Sequence, residues 1–265
     1  MAQPPNPFEK QSPIAGVKHI IAVGSGKGGV GKSTVSANLA AALAKKVKVG
    51  LLDADIYGPS LPRMYGCLQQ KPDVDENNKI QPISRHNVKL MSIGFLVEES
   101  AAVVWRGPML FKAIEQFLRD VDWGDLDVLV IDLPPGTGDV QLSLAQKAPI
   151  SGAVVVSTPQ NIALADVKKS IDMFKRLNTP ILGLVENMSY FLNDNGEKMN
   201  MFPKGEINAY LEKEQIPVLA ELPFHSPLAS SSEMGFPLVV SQPDLESSKV
   251  FDKLANQILQ KINLV

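Results

Sequence analysis

Short aliphatic runs recur along this chain, each separated from the next by a stretch whose apolar positions fall on one helical face. The runs cover residues 19–23, 49–52, 89–93, 128–131, 153–156, 181–185 and 218–222, with residues 238–240 a weaker eighth. Several are apolar at successive rather than alternate positions, the pattern of strands buried on both faces of a parallel sheet. Between them, residues 31–46 are Ala-rich, and Leu110, Ile114, Phe117, Leu118 and Val121 share one face of residues 109–121. Residues 162–177 and 246–262 repeat that helical periodicity. Alternation along the whole chain predicts one doubly wound α/β domain with a mostly parallel sheet of about 7–8 strands. Residues 1–16, with four prolines and little periodicity, predict a flexible leader ahead of a domain over residues 17–265. No internal repeat or linker divides that domain.

Composition narrows the setting. Of 265 residues, 45% are hydrophobic, enough for a large core, and the formal net charge of -2 gives no global field to attract nucleic acid or anionic lipid. No apolar run approaches the roughly 18–20 residues that span a bilayer. The N-terminal residues have neither the hydrophobic stretch of a signal peptide nor the Arg-rich pattern of a transit peptide. The single cysteine, Cys67, excludes an intramolecular disulfide and fits a reducing compartment. A cytoplasmic protein without nucleic-acid or membrane partners is expected. The amphipathic face of residues 246–262 is expected to dock on the sheet.

One loop carries the strongest chemistry. Gly26 through Ser33 satisfy G-x-x-x-x-G-K-[ST] once in the chain, after a predicted strand and before a predicted helix, which is the context that this pattern requires. Glycines without Cβ let backbone N–H groups turn inward around phosphate oxygens, and the helix N-terminus adds partial positive charge. Gly26, Lys27, Gly28, Gly29, Val30, Gly31, Lys32, Ser33 and Thr34 are therefore the expected ATP-binding residues. Lys32 would neutralise the β- and γ-phosphates, and the Ser33 hydroxyl would ligate Mg²⁺. Acidic groups for metal and water should lie at strand ends. Asp53 and Asp55 end one aliphatic run and Asp132 ends another, after Val128-Leu129-Val130-Ile131. Asp132 is expected to hold a Mg²⁺-bound water, and Asp53 to support the metal shell.

The second loop lysine, Lys27, makes the pattern K-G-G-x-G-K-[ST], which resembles the deviant Walker A class of dimeric P-loop ATPases, with MinD, ParA and nitrogenase iron protein relatives. The resemblance implies a homodimer in which Lys27 reaches the partner subunit's nucleotide. It also implies that Asp55 orients the attacking water and that Asn187, in Glu186-Asn187-Met188-Ser189-Tyr190-Phe191, binds adenine. Pro223 and Phe224 would line the base pocket.

Further segments narrow the resemblance. Asp53-Ala54-Asp55-Ile56-Tyr57-Gly58-Pro59-Ser60, Gly94-Phe95-Leu96, Trp105-Arg106-Gly107-Pro108, Asp132-Leu133-Pro134-Pro135-Gly136-Thr137-Gly138-Asp139 and Ser157-Thr158-Pro159-Gln160 together resemble the Mrp/ApbC family. Its members are ATP-binding iron–sulfur cluster carriers related to the Nbp and Ind proteins. The resemblance runs from about Gly16 to the C-terminus, and implies slow Mg²⁺-dependent ATP hydrolysis in cluster assembly or transfer to apo-client proteins. In that family a C-x-x-C pair follows the Asn-Met-Ser-Tyr-Phe segment, and two subunits share one [4Fe–4S] cluster through it. Here the chain reads Phe191-Leu192-Asn193-Asp194-Asn195-Gly196-Glu197-Lys198, without cysteine, so no iron–sulfur ligand is identified. Three readings follow: a cluster carrier that uses unusual ligands or a partner's cysteines, a cluster-free nucleotide-gated adaptor, and a MinD- or ParA-like spatial organiser. Net charge and the absence of a basic run count against the third.

Overall fold

The computed structural model describes residues 11–56, 58–96, 107–192, 197–203 and 206–265. The chain runs β1 (Val17–Gly24), α1 (Lys32–Leu43), β2 (Val49–Asp53), α2 (Leu61–Met64), β3 (Ile83–Arg85), β4 (Val88–Ser92), α3 (Gly107–Arg119), β5 (Leu126–Asp132) and α4 (Asp139–Lys147). It continues through β6 (Gly152–Ser157), α5 (Leu164–Arg176), β7 (Ile181–Leu192), β8 (Lys198–Asn200), α6 (Glu206–Lys213), β9 (Val218–Pro223), α7 (Ser226–Glu233), α8 (Leu238–Ser241) and α9 (Glu246–Lys261).

The strands form one sheet in the order β3-β4-β2-β5-β1-β6-β7-β8, with β9 also paired to β7. From β4 through β7 and on to β9 all pairs are parallel, and only the short β3 and β8 run antiparallel. The parallel strands coincide with the seven firm aliphatic runs. Unbroken hydrophobicity has its physical reason here: β2 and β6 are buried at every position, as strands covered on both faces must be.

The eighth run is a helix, not a strand. Pro237 holds the extended N-cap of α8, and the backbone N–H of Val239 donates to Asn38 Oδ1 at 3.2 Å, docking the turn on α1. Three apolar residues in a row fit a buried helical turn as well as a strand, and periodicity cannot separate them. β3 and β8 are three-residue arms, too short for alternation to show.

Helix α1 is buried almost all round, and its alanines let α9 pack closely across it. The α9 face of Phe251, Leu254, Ala255, Ile258 and Leu259 is buried against α1 and β9, as its periodicity predicted. Each large side chain removed from water there contributes about 1.5–3 kcal/mol. Residues 12–14, which the sequence reading placed in the leader, contact the domain. The Ser12 N–H donates to the Lys147 carbonyl at 3.2 Å, the Arg119 guanidinium donates to Ser12 and Pro13 carbonyls, and Ile14 is buried. Among the described residues, no helix is long and apolar enough to cross a membrane.

Candidate functional site

β1 ends in the glycine-rich loop, which re-enters at the N-terminus of α1. Two loop glycines hold positive φ, Gly29 at 78° and Gly31 at 81°, a conformation that glycine adopts without a Cβ clash. Gly31 is also the N-cap of α1 and supplies no side-chain cap, so the first N–H groups of the helix face the loop interior. That arrangement favours an anion. The loop encloses a cavity of about 220 Å³ lined by Ser25, Lys27, Gly28, Gly29, Gly31, Lys32, Ser33, Thr34, Asp55, Ser60, Met64 and Pro135. Its volume is below the roughly 300–1,000 Å³ of whole-ligand pockets and suits a phosphate chain.

Parallel register brings the acids to the same place. Asp53, at the end of β2, pairs with Asp132 of β5, and Asp132 pairs with Val23 of β1 just before the loop. Lys32 Nζ lies 2.9 Å from Asp132 Oδ1 and 3.7 Å from Asp55 Oδ2. The Ser33 hydroxyl donates to Asp132 Oδ2 at 2.7 Å, and the Ser36 hydroxyl donates to Asp132 Oδ1 at 2.7 Å. Asp132 is fully buried, so these donors replace the water its charge requires.

Asp53 has a different position from its neighbours. Its carboxylate accepts the backbone N–H groups of Asp55 and Leu61, each at 3.2 Å, and the Ser92 hydroxyl at 3.1 Å. Like Asp132, and unlike Asp55, it does not line the cavity. Burial, and then the negative charge of Asp132, push its carboxyl up to about 7, against the opposing pull of Lys32 and its hydrogen bonds. Asp53 thus fixes the loop that carries Asp55 and leads into α2.

Lys27 is half-buried at the cavity wall and forms no ion pair among the described residues, unlike Lys32. Asn187 lies buried behind the loop, where its Nδ2 donates to the Val30 carbonyl at 2.9 Å, while its Oδ1 has no partner among the described residues. Pro223 ends β9, paired in register with Tyr190 of β7, at the same end of the sheet as the loop. Tyr57, Trp105, Arg106 and residues 193–196, in the segment where the resemblance implied a cysteine pair, lie outside the described residues. Cys67 is buried, and among the described residues no group of three or more His, Cys, Asp and Glu could hold a metal ion.

Sequence reasoning missed three contributors. Ser36 is four residues after Lys32, a spacing that stacks both on one helix face, and that was the available signal. Gln141 of α4 donates to the Pro134 carbonyl at 2.8 Å and the Gly136 carbonyl at 3.1 Å, pinning the turn after Asp132. The Gly136 N–H donates to the Ser25 carbonyl at 2.8 Å, which couples that turn to the loop. Met64 reaches the cavity from a helix too short to predict.

A family model described as NUBPL iron-transfer P-loop NTPase (ParA) matches residues 16–259. An iron–sulfur cluster carrier protein of Aquifex aeolicus (strain VF5) is 48% identical over 259 residues, covering 97% of this chain and 71% of that protein. The iron–sulfur cluster transfer protein NUBPL of Mus musculus is 48% identical over 257 residues, covering 96% of this chain and 80% of that protein. Among solved structures, the nucleotide-binding protein of Archaeoglobus fulgidus in complex with ADP superposes with a TM-score of 0.74 at 42% identity, covering 84% of this chain and 89% of that one. The cell division ATPase MinD of Pyrococcus furiosus has a TM-score of 0.68 at 27% identity, covering 91% and 98%. With its strand–loop–helix phosphate cradle and a family match over almost the whole chain, this protein belongs to the NUBPL iron-transfer P-loop NTPases, the family of its iron–sulfur cluster carrier and transfer relatives.

Proposed function

We propose that this chain is a Mg²⁺-dependent ATPase that works as a nucleotide-gated homodimer in the assembly and transfer of iron–sulfur clusters to apo-proteins. The observation that carries the reading is the convergence of Lys32, Ser33 and Asp55 on one phosphate-sized cavity at a helix N-terminus, with the buried Asp132 carboxylate directly behind Lys32 and Ser33. The donor set suits the metal. A serine hydroxyl and a carboxylate are hard oxygen groups, and Mg²⁺ keeps several waters when such a pair and phosphate oxygens bind it. Bound there, the ion would neutralise charge on the β- and γ-phosphate oxygens.

The chain's own groups supply the rest. Lys32 exchanges its carboxylates for phosphate oxygens, and the loop N–H groups and the α1 N-terminus hold the remaining charge. Asp55, carried by the loop that Asp53 fixes, positions the attacking water. Lys27 has no carboxylate partner at its own cavity among the described residues and serves the partner subunit's nucleotide. The buried Oδ1 of Asn187, without a partner among the described residues, accepts the amino group of adenine, and Pro223 packs against the base.

ATP binding and turnover of Lys32→Ala and Asp55→Ala test the site. Lys32→Ala should abolish ATP binding or turnover. Asp55→Ala should retain binding within a few-fold and lose hydrolysis by at least about 100-fold, in line with the typical contribution of a positioned acid–base group. Normal turnover in both variants would overturn the assignment.

A further inference from the structure

We propose that Ser36 is the positioning residue that keeps the Asp132 carboxylate aimed at the metal while its other two donors are used elsewhere. The inference rests on the nucleotide-site reading above and deepens it. Three side-chain donors face Asp132: Ser33 bonds to Oδ2, Ser36 bonds to Oδ1, and Lys32 Nζ makes an ion pair 2.9 Å from Oδ1. In the proposed function two of these donors leave. Lys32 turns to phosphate oxygens, and the Ser33 oxygen turns its lone pair to Mg²⁺. Only Ser36 has no second task.

Its surroundings keep it in place. Ser36 is wholly buried in the body of α1, one turn beyond Lys32, and its hydroxyl also approaches the Lys32 carbonyl at 3.1 Å. A hydroxyl has one proton, and the 2.7 Å contact to the charged carboxylate is the stronger claim on it. That bond fixes Oδ1 toward the body of α1 and thereby turns Oδ2 toward Ser33, the residue that lines the cavity. Asp132 itself is fully buried, so no solvent replaces the bond. Without Ser36, a carboxylate whose lysine and serine have moved away would keep no side-chain donor from α1 and would be free to rotate about its χ2.

Ser36 therefore matters more when metal is present than when it is absent, and a role in packing alone would not show that difference. The test is the affinity of a fluorescent ATP analogue, measured with Mg²⁺ and with EDTA, for the wild-type chain, Ser36→Ala and Ser36→Cys. Cysteine nearly matches serine in shape but is a weak donor. The expected result is that Mg²⁺ tightens binding to the wild type, and that this enhancement falls on the order of tenfold in Ser36→Ala, the scale of a lost charge-assisted hydrogen bond. Affinity in EDTA should change less than about twofold, and Ser36→Cys should behave like Ser36→Ala.

An undiminished Mg²⁺ enhancement in Ser36→Ala would overturn the inference. So would equal losses with metal and with EDTA, or a Ser36→Cys variant that matches the wild type, since each points to packing. A wild-type chain whose binding ignores Mg²⁺ would overturn the site reading, and this inference with it.

Discussion

Gly26 shows how one residue can be legible as a type and illegible as a contact. The loop pattern asks for glycine there, and the structure supplies the reason: a Cβ at Gly26 would lie 2.2 Å from the backbone oxygen of Asp166, in the first turn of α5. Backbone atoms cannot rotate away. Gly26→Ala should therefore cost about 1–3 kcal/mol, the usual scale of overpacking, and displace the loop from α5. Gly28 is the control, because a Cβ there meets nothing closer than 4.0 Å. Thermal melting of the two variants should show a clear drop for Gly26→Ala and almost none for Gly28→Ala; equal melting temperatures would refute the contact argument. The course from strand through glycine-rich loop to helix was readable from spacing alone, since the pattern encodes a local backbone conformation. Which glycine is jammed was not, because the obstacle is 140 residues away in sequence. Asp53 teaches the same lesson. Its position at a strand end was readable, but its service to the N–H groups of Asp55 and Leu61 depends on how the following loop folds back.

At the scale of elements, length decided what could be read. Long parallel strands and the amphipathic α9 announced themselves, whereas α2, α8, β3 and β8 are each of four residues or fewer and carry no period. α2 nevertheless links the nucleotide cavity to the lone cysteine. Met64 of α2 lines the cavity, and Cys67, just beyond the helix, directs its sulfur at the Pro62 carbonyl at 3.5 Å. Burial pushes the Cys67 thiol up to about 11 from an ordinary thiol value of 9.0. The sign follows from linkage: between those values the folded chain holds a proton that the unfolded chain has released, so this group's contribution to stability is lost as pH rises through that window. Below it the native sulfur is a neutral, inaccessible thiol, and the thiolate is the reactive form. At pH 8 an aromatic disulfide reagent should thus leave native Cys67 unmodified over a time in which the denatured chain reacts completely. Rapid native reaction would mean that the α2 corner opens freely. Raising the pH past 9 should go on accelerating the native reaction after the denatured rate has levelled off.

For the whole molecule the question is what a member of an iron-transfer family can do with one cysteine. Two copies of the chain would bring two thiolates at most, while a cluster of the [4Fe–4S] type is held by four. Even those two are poorly placed. Cys67 is 1% exposed, points into the α2 corner and holds its proton at neutral pH, whereas a ligand must be a thiolate open to the metal. Around the glycine-rich loop, the described residues nonetheless bring together the loop cavity, the paired strand-end acids, and the turn clamped by Gln141 and tied to Ser25. Under the function proposed above, the chain would supply the ATP-gated half of a transfer device, and thiolates of other proteins would ligate the cluster. Anaerobic reconstitution with iron and sulfide separates the alternatives. The isolated protein should bind iron and acid-labile sulfide near background, bind ATP normally, and give the same result as Cys67→Ser. About four irons and four sulfides per dimer would instead show a carrier that works without the usual cysteine pair. Loss of that cluster in Cys67→Ser would then require the α2 corner to open in the dimer, bringing each buried thiol to a shared surface.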